Sequence, residues 1–431
     1  MAKLALEGVR VVELGTLLAG PFCGQLLGDL GAEVIKVEPP GSGDPMRQWG
    51  RNKVNGRSLW WPIVARNKKS VTIDLHKPEG QQLARCLIAK ADILVENFRP
   101  GTLEKWGLGY DELTRDNPGL IMVRVSGYGQ NGPYHRRAGF GSIAEAMGGL
   151  RYITGYPDRP PTRIGISIGD ALAGTLGALG ALAALWHRDL KGGRGQVVDV
   201  AIYEAVLAYM ESLIPEYALT GYIRERTGSV LPGVAPSNIY PTADGQWLVM
   251  GANADNVFRR LCQVMGRPEL AEDPRFATHN ARGQNMEALD AIIAEWTSTQ
   301  PVDRLLVELL NETGVPAGKI YTAREMLADP HFAAREDIVW VDAPGIGKMP
   351  MQNAFPKLSA TPGRVRWAGP ELGEHNREVF CGLLGLSEAE LSELAQKGVI
   401  ENDTFRRTGC LGRGRGAPGR LAERPGRTYG G

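Results

Sequence analysis

Residues 164–186 read IGISIGDALAGTLGALGALAALW, and Asp170 is the only charged side chain among them. An ionised carboxylate is costly among apolar neighbours unless it is hydrogen-bonded or takes part in chemistry. Gly165 and Gly169 precede it, and Ala171, Ala173 and Gly174 follow. Small residues let another backbone or a ligand come close. The pattern predicts extended chain through Gly169 and a buried helix from about Ala171, with Asp170 at or near its N-cap. The run is long enough to cross a bilayer. Asp170, the glycines at 174, 177 and 180, and the lack of a second such run argue for a core helix and against a membrane span. Taken alone, Asp170 reads either as a helix cap or as a catalytic carboxylate.

Outside this stretch, 431 residues exceed one ordinary core, so a large and a smaller domain are expected. Apolar content of 43% and charged content of 23% are those of a globular protein. The net charge of +1 gives no global field suited to nucleic acid. Even that value comes from residues 409–431, which carry five Arg and one Glu. The cysteines, Cys23, Cys86, Cys262, Cys381 and Cys410, are odd in number, widely spaced and without a CxxC pair. They point to a reducing compartment, and with scattered His they give no metal site. MAKLALEGVRVVELG runs directly into a strand, without a signal-peptide core, so the cytoplasm is expected.

Upstream of Asp170, Val9–Leu14 reads as a strand, Phe22–Leu30 as a short helix and Ala32–Val37 as a second strand. Strand–helix–strand at this length is a βαβ unit with parallel strands. Its central loop, TLLAGPFCG, is not GxGxxG, so a nicotinamide or flavin dinucleotide is not supported. Further strands are expected at Val71–Leu75, Ile93–Glu96 and Leu120–Ser126, with a helix at Glu79–Lys90. Loops rich in Gly and Pro end these strands, at Glu38–Asp44, Asn97–Gly101 and Gly127–Pro133. Ligands of open α/β sheets bind at such ends. Arg66, Lys68, Lys69, Arg99, Arg136 and Arg137 are available there for anionic groups.

Downstream, Gln196–Ile202 reads as a strand and Tyr203–Leu219 as a helix. The chain then turns irregular, rich in Gly and Pro, which marks a domain boundary. Ser237–Gly251 reads as a hairpin turning at Ala243-Asp244-Gly245. Helices are expected at Asp255–Met265, Met286–Ser298, Val302–Thr313 and Glu371–Lys397, the last containing a capping box at Ser387–Glu390. Residues 1–220 are therefore the first part of a large domain, 221–330 a small α+β domain, and 331–400 a return to the large domain. The segment 401–431, Gly/Arg-rich with few large apolar residues, is expected to be disordered.

Several blocks match one family. VRVVELGTLLAGPFCGQLLGDLGAEVIKVEPPGSGD, RNKKSVTIDL, ADILVENFRPGTLEKWGLGYDEL and GISIGDALAGTLGALGALAALWHRDLKGGRGQVVDVAIYEAVL resemble the class III coenzyme A transferases, the formyl-CoA and carnitine CoA-transferase family. The likeness runs from about Leu6 to Gly398 and takes in PTADGQW, NVFRRLCQVMG, GVPAGKIYTAREMLADPHF and LGEHNREV. It implies an α/β fold: a Rossmann-like large domain with a parallel sheet, built from both chain ends, plus a smaller α+β domain. It also implies two subunits interlocked as a homodimer. In the resemblance Asp170 is the catalytic nucleophile, and Leu17, Leu18, Ala19, Lys69, Leu75, Asn97, Phe98, Lys105 and Arg137 match CoA-contacting positions. CoA and acyl-CoA are then substrates, with no permanently bound cofactor. Two departures speak against formyl or oxalate chemistry. Leu18 replaces a glutamine of formyl-CoA transferase, and Val234–Pro241 lacks that enzyme's glycine-rich run.

The residue type suits the implied reaction. A carboxylate can form an anhydride with an acyl group and a thioester with CoA, which splits one hard exchange into easier steps. An acyl-CoA racemase of the same fold is the alternative enzyme. Such racemases pair the Asp with a His in a block like AGHD, whereas this chain has Ala138-Gly139-Phe140-Gly141, and Phe140 cannot move a proton. A CoA-binding protein without turnover is the third reading. Arg151 and Arg163, near Asp170 in sequence, are either surface residues or a seat for a second carboxylate.

Overall fold

A computed structural model describes residues 3–401. Apart from Glu401, the segment expected to be disordered lies outside the described residues, so only its first residue is considered further. The first two hundred residues build one six-stranded sheet. Its strands are β1 (Arg10–Glu13), β2 (Glu33–Glu38), β3 (Lys68–Thr72), β4 (Ile93–Glu96), β5 (Ile121–Ser126) and β6 (Val197–Ala201), in the order β3-β2-β1-β4-β5-β6. Every pair is parallel; Val12 lies beside Ile35 on one side and Leu94 on the other. Strands covered on both faces read as continuous β-branched and apolar runs, which is why ILVE and VVE carry no polar alternation.

Each face has its own core. Val12, Ile35, Leu94 and Met122 pack with α2 (Pro78–Ile88), through Leu83, Leu87 and Ile88. Val379, Phe380, Leu391, Val399 and Ile400 join the same core. The end of the chain is also pinned by backbone: Asp74 N–H donates to Val399 O at 2.8 Å and His375 N–H to Ser70 O at 2.9 Å. Val11, Val34, Val95 and Val123 pack on the other face, against α1 (Ala19–Asp29) and α5 (Ile168–His187). Between them in chain order come α3 (Tyr110–Asp116) and α4 (Gly141–Met147).

Helix α5 explains the small-residue run. A Cβ on Gly174 would lie 2.7 Å from Ala19 O, one on Gly177 3.2 Å from Val123, and one on Gly180 2.5 Å from Val198. The three glycines let the helix sit directly on α1 and the sheet. Its length and apolarity would suffice for a membrane span, but its buried stripe, Ala173, Ala178, Ala181 and Ala184, belongs to the core.

Past β6 come α6 (Ile202–Leu207) and α7 (Leu213–Thr220), so the single helix expected over Tyr203–Leu219 is broken in two. Glu211, between the two, takes a left-handed φ of 49°, which a continuous helix cannot accommodate. A second sheet follows, β7 (Ser237–Pro241) antiparallel to β8 (Trp247–Gly251), which pairs with β9 (Ala317–Lys319). The β7–β8 turn uses Gly245 at φ 72°, with Thr242 N–H donating to Gln246 O at 3.1 Å. This sheet packs with α8 (Asp255–Val264) and α9 (Met286–Thr297) on a separate core of Tyr240, Phe258, Leu261, Leu289 and Ile293. A hairpin of β10 (Ile338–Ala343) and β11 (Gly347–Gln352) leads back to the first sheet. The helix expected over Glu371–Lys397 is likewise two pieces, a π-turn at Glu378–Leu383 and α10 (Glu388–Gln396). Its capping box is present: Ser387 Oγ accepts from Glu390 N–H and Glu390 Oε2 from Ser387 N–H, at 3.3 and 2.8 Å.

Candidate active site

The strand order places a switch point between β1 and β4, where the chain runs outward in opposite directions from neighbouring strands. Loops at the carboxyl ends of such strands leave a crevice. Thr16–Leu18 lies on one side and Asn97–Phe98 on the other. Asn97 ties them together, since its Oδ1 accepts from Thr16 N–H at 2.7 Å and its Nδ2 donates to Thr16 O at 2.8 Å. Glu96 in turn accepts from Phe98 N–H at 2.7 Å and pairs with Arg124 at the same distance. Burial drives the Glu96 carboxyl up to about 7, against the pull of Arg124.

Asp170 is in the first turn of α5, not at its N-cap. The helix begins at Ile168, and the cap position, Ser167, makes no side-chain capping bond. Gly169 N–H points instead toward Glu145 Oε1, at 3.4 Å. Among the described residues no donor reaches the Asp170 carboxylate, which is half-buried. Burial raises it to about 6, the nearby Glu145 charge adds to the rise, and Arg163 opposes it. A capping Asp would show a lowered value and a backbone partner. One turn further along, about 6 Å on by helix rise, Gly174 lies against Ala19, so Asp170 stands near the start of α1. Gly141, the first residue of α4, faces the carboxylate: a Cβ there would lie 2.5 Å from Oδ2. Phe140, immediately before it, is exposed.

The other expected residues divide. Leu17, Leu18, Ala19 and Asn97 come together at the switch point. Leu75 and Phe98 share the core face beneath it, extended by Trp106 at 5.3 Å from Phe98 and by His76 at 5.5 Å from Trp106. Sequence reasoning missed Trp106 and His76; their aromatic character beside two strand ends was the available signal. Lys105 is exposed, and Arg137 stacks on Tyr134 at 3.6 Å. Lys69 lies within β3 rather than beyond its end, held by Glu33 at 2.5 Å and Glu378 at 2.7 Å. Of the cations set aside for anions, Arg66 is consumed by Asp29 and Lys68 by Glu13, both pairs fully buried. Arg151 is likewise taken by Glu145 at 2.8 Å, whereas among the described residues Arg163 donates only to Ser167 Oγ, at 3.2 Å.

A doubly wound sheet, loops gathered at its switch point and a carboxylate left without a donor beside them define an α/β enzyme with a ligand crevice. The chain belongs to CoA-transferase family III, whose profile matches residues 6–376. It is a CoA-transferase, moving coenzyme A between an acyl-CoA and a carboxylic acid. Over 92% of its length and 98% of the relative's it is 66% identical to a succinyl-CoA–D-citramalate CoA-transferase of Chloroflexus aurantiacus. A succinyl-CoA:glutarate CoA-transferase of Mus musculus is 34% identical over 92% of this chain and 90% of its own. Among solved structures, a CAIB/BAIF family protein from Brucella suis superimposes with a TM-score of 0.79 at 37% identity, over 89% of this chain and all of that one.

Proposed function

We propose that Asp170 is the nucleophile and that the substrates are dicarboxylic acids, with succinyl-CoA as donor. The observation that carries the reading is the half-buried Asp170 carboxylate, without a donor and raised to about 6, set beside the Leu17–Ala19 turn with Gly141 leaving room in front of it. Asp170 attacks the thioester carbonyl, the C–S bond breaks, and CoA leaves as thiolate with an aspartyl anhydride behind it. The thiolate then attacks the Asp170 carbonyl, which releases the donor acid as carboxylate and leaves an aspartyl-CoA thioester. The acceptor carboxylate attacks that thioester, and CoA thiolate attacks the new anhydride at the acceptor's carbonyl, regenerating Asp170. No water enters the sequence, and burial of the carboxylate keeps it out.

Two observations support the dicarboxylate class. Curated relatives carry names with succinyl-CoA and a citramalate, malate or glutarate partner, all dicarboxylic acids. Arg163 also retains unpaired N–H groups near the nucleophile, held over the first turn of α5 by Ser167. A guanidinium can take a distal carboxylate through two parallel hydrogen bonds. In a panel of acyl-CoA donors against free acids read by mass, dicarboxylic pairs should exchange fastest. Arg163→Leu should raise the KM for succinyl-CoA by about 10-fold or more while leaving butyryl-CoA nearly unchanged. An unchanged succinyl-to-butyryl ratio would remove Arg163 from the reading.

The working unit we propose is a dimer. Leu179, Trp186, Ile214, Tyr217 and Leu219 are each 58% exposed or more, beside the site-bearing helix. Apolar surface of that extent on a soluble chain is usually covered by a partner, and a second copy is the occupant the family resemblance implies. Sedimentation at micromolar concentration should give a single species of twice the chain mass; a folded, active monomer would reject it.

A further inference from the structure

Beneath the Gly15–Pro21 turn lies a cluster that the transfer chemistry does not use. Glu13, Lys36, Asp44 and Lys68 are each at most 1% exposed. Lys36 sits 2.8 Å from Asp44 and 3.2 Å from Glu13, and Lys68 sits 2.7 Å from Glu13. Two negative and two positive charges balance. Gly24 makes the space: a Cβ there would fall 1.9 Å from Glu13 Oε2. Burial alone would raise Asp44, but Lys36 and the N–H groups of Met46 and Leu17 outweigh it and lower the carboxyl. Asp44 is therefore an anion under the turn.

Three of the four charged arms end on the turn's backbone, and Glu13 holds the two lysines. Lys36 donates to Gly15 O, Lys68 to Pro21 O at 2.6 Å, and Leu17 N–H donates to Asp44 Oδ1 at 3.2 Å. Between those anchors Leu17 takes φ 63°, in the left-handed region. For a non-glycine residue that conformation is disfavoured by a factor of about 5–30 in population. Buried ion pairs seldom add net stability, and their best-attested use is to select one arrangement.

We propose that the buried Glu13–Lys36–Asp44–Lys68 cluster is a positioning device that holds Leu17 left-handed, so that the Leu17–Ala19 turn is preset for the CoA thioester beside Asp170. It rests on the reading of that turn as part of the CoA site. When only a fraction of molecules has the competent turn, apparent affinity falls by that fraction. Loss of Asp44's charge, which pairs with Lys36 and strengthens its hold on Leu17 N–H, should therefore act on KM for acyl-CoA more than on kcat.

The test is a cycle in the full-length enzyme with succinyl-CoA. Asp44→Asn should raise KM by about 5–30-fold with a smaller change in kcat. Leu17→Gly, which adopts φ 63° without strain, supplies the background KM, whatever its own loss of side-chain contact to CoA. On that background Asp44→Asn should change KM by less than about threefold relative to Leu17→Gly alone. A support role without positioning predicts the opposite, with both losses adding. Should Asp44→Asn fail to fold, Leu17→Val gives the answer with the cluster intact. A β-branched residue resists φ 63°, so KM should rise while thermal stability falls little. Unchanged KM in Leu17→Val, or a full Asp44→Asn loss on the Leu17→Gly background, overturns the proposal. Substantial exchange by Asp170→Ala would instead overturn the underlying site assignment, so the two failures are separable.

Discussion

Asp170→Ala should retain its fold and bind CoA while losing exchange by roughly 10⁴-fold or more, because no other group stands ready to form the anhydride. The turn we propose to face CoA is held from beneath by Asn97, Lys36 and Asp44, and none of those bonds involves Asp170, so binding should survive. An acyl-CoA donor supplied without acceptor should leave an adduct on the wild-type enzyme. Hydroxylamine should convert it to a hydroxamate on the peptide carrying Asp170. Label on Glu145 or Asp199 would sink the assignment. Glu145 is buried and paired with Arg151, and Asp199 accepts from Gln130 N–H at 2.9 Å, so neither is poised to attack.

The same carboxyl should set the acidic limb of the pH profile. Attack needs the carboxylate, and burial beside Glu145 raises it to about 6 from an ordinary 3.8. Rate should climb with pH through about 6 and level above it. Stability should move the other way. A carboxyl raised in the folded state favours folding while protonated, and that contribution is lost as pH rises from 3.8 through about 6. Asp170→Asn should thus melt higher than wild type at pH 7.5, by up to about 3 kcal/mol in stability. The gain should vanish near pH 4. A flat profile between pH 5 and 7 would contradict the raised value.

Gly141→Ala is expected to be the second most damaging change, with a loss of about 10²–10³-fold in exchange. The backbone at Gly141 accepts alanine without strain, because it is not in the left-handed region. The new methyl group would instead meet Asp170 Oδ2 at 2.5 Å. The carboxylate is the movable partner, so it swings away and the enzyme keeps its fold with a misaimed nucleophile. Melting temperature should change by only a few degrees while kcat falls. Full activity in Gly141→Ala would mean that the carboxylate does not attack from this position.

How much of this was legible in the chain follows from which forces are local. Alternation of β-branched runs with amphipathic segments is a local property, so the parallel βαβ unit, the β7–β8 hairpin and the Ser387 capping box could be read from residues alone. Asp170 could be picked out too, because one charge in a long apolar run is visible without coordinates. The helix interruption at Glu211 was legible as well but went unread: Pro215 sits in the first turn of α7, where a residue without an N–H can open a helix but not continue α6. The start of α5 at Ile168 came instead from contacts: Gly169 N–H leans on Glu145, which is twenty-four residues earlier.

Charge pairing is the other thing that spacing leaves undetermined. Residues 151 and 163 were equivalent candidates in the sequence; the fold gives Arg151 to Glu145 and leaves Arg163 near Asp170. Lys68 and Lys69 are neighbours in the chain, but strand alternation sends one beneath the turn to Glu13 and the other outward to Glu33 and Glu378. Leu17 gave no sign of a left-handed backbone, because leucine disfavours it and its Asp44 acceptor lies twenty-seven residues away. The sequence by itself determined the layers and singled out Asp170 as the candidate carboxylate, since periodicity and an isolated charge are encoded over a few residues. Only the tertiary structure decided which partners Lys68 and Lys69 take and how the turn is shaped, because those partners are brought from tens to hundreds of residues away.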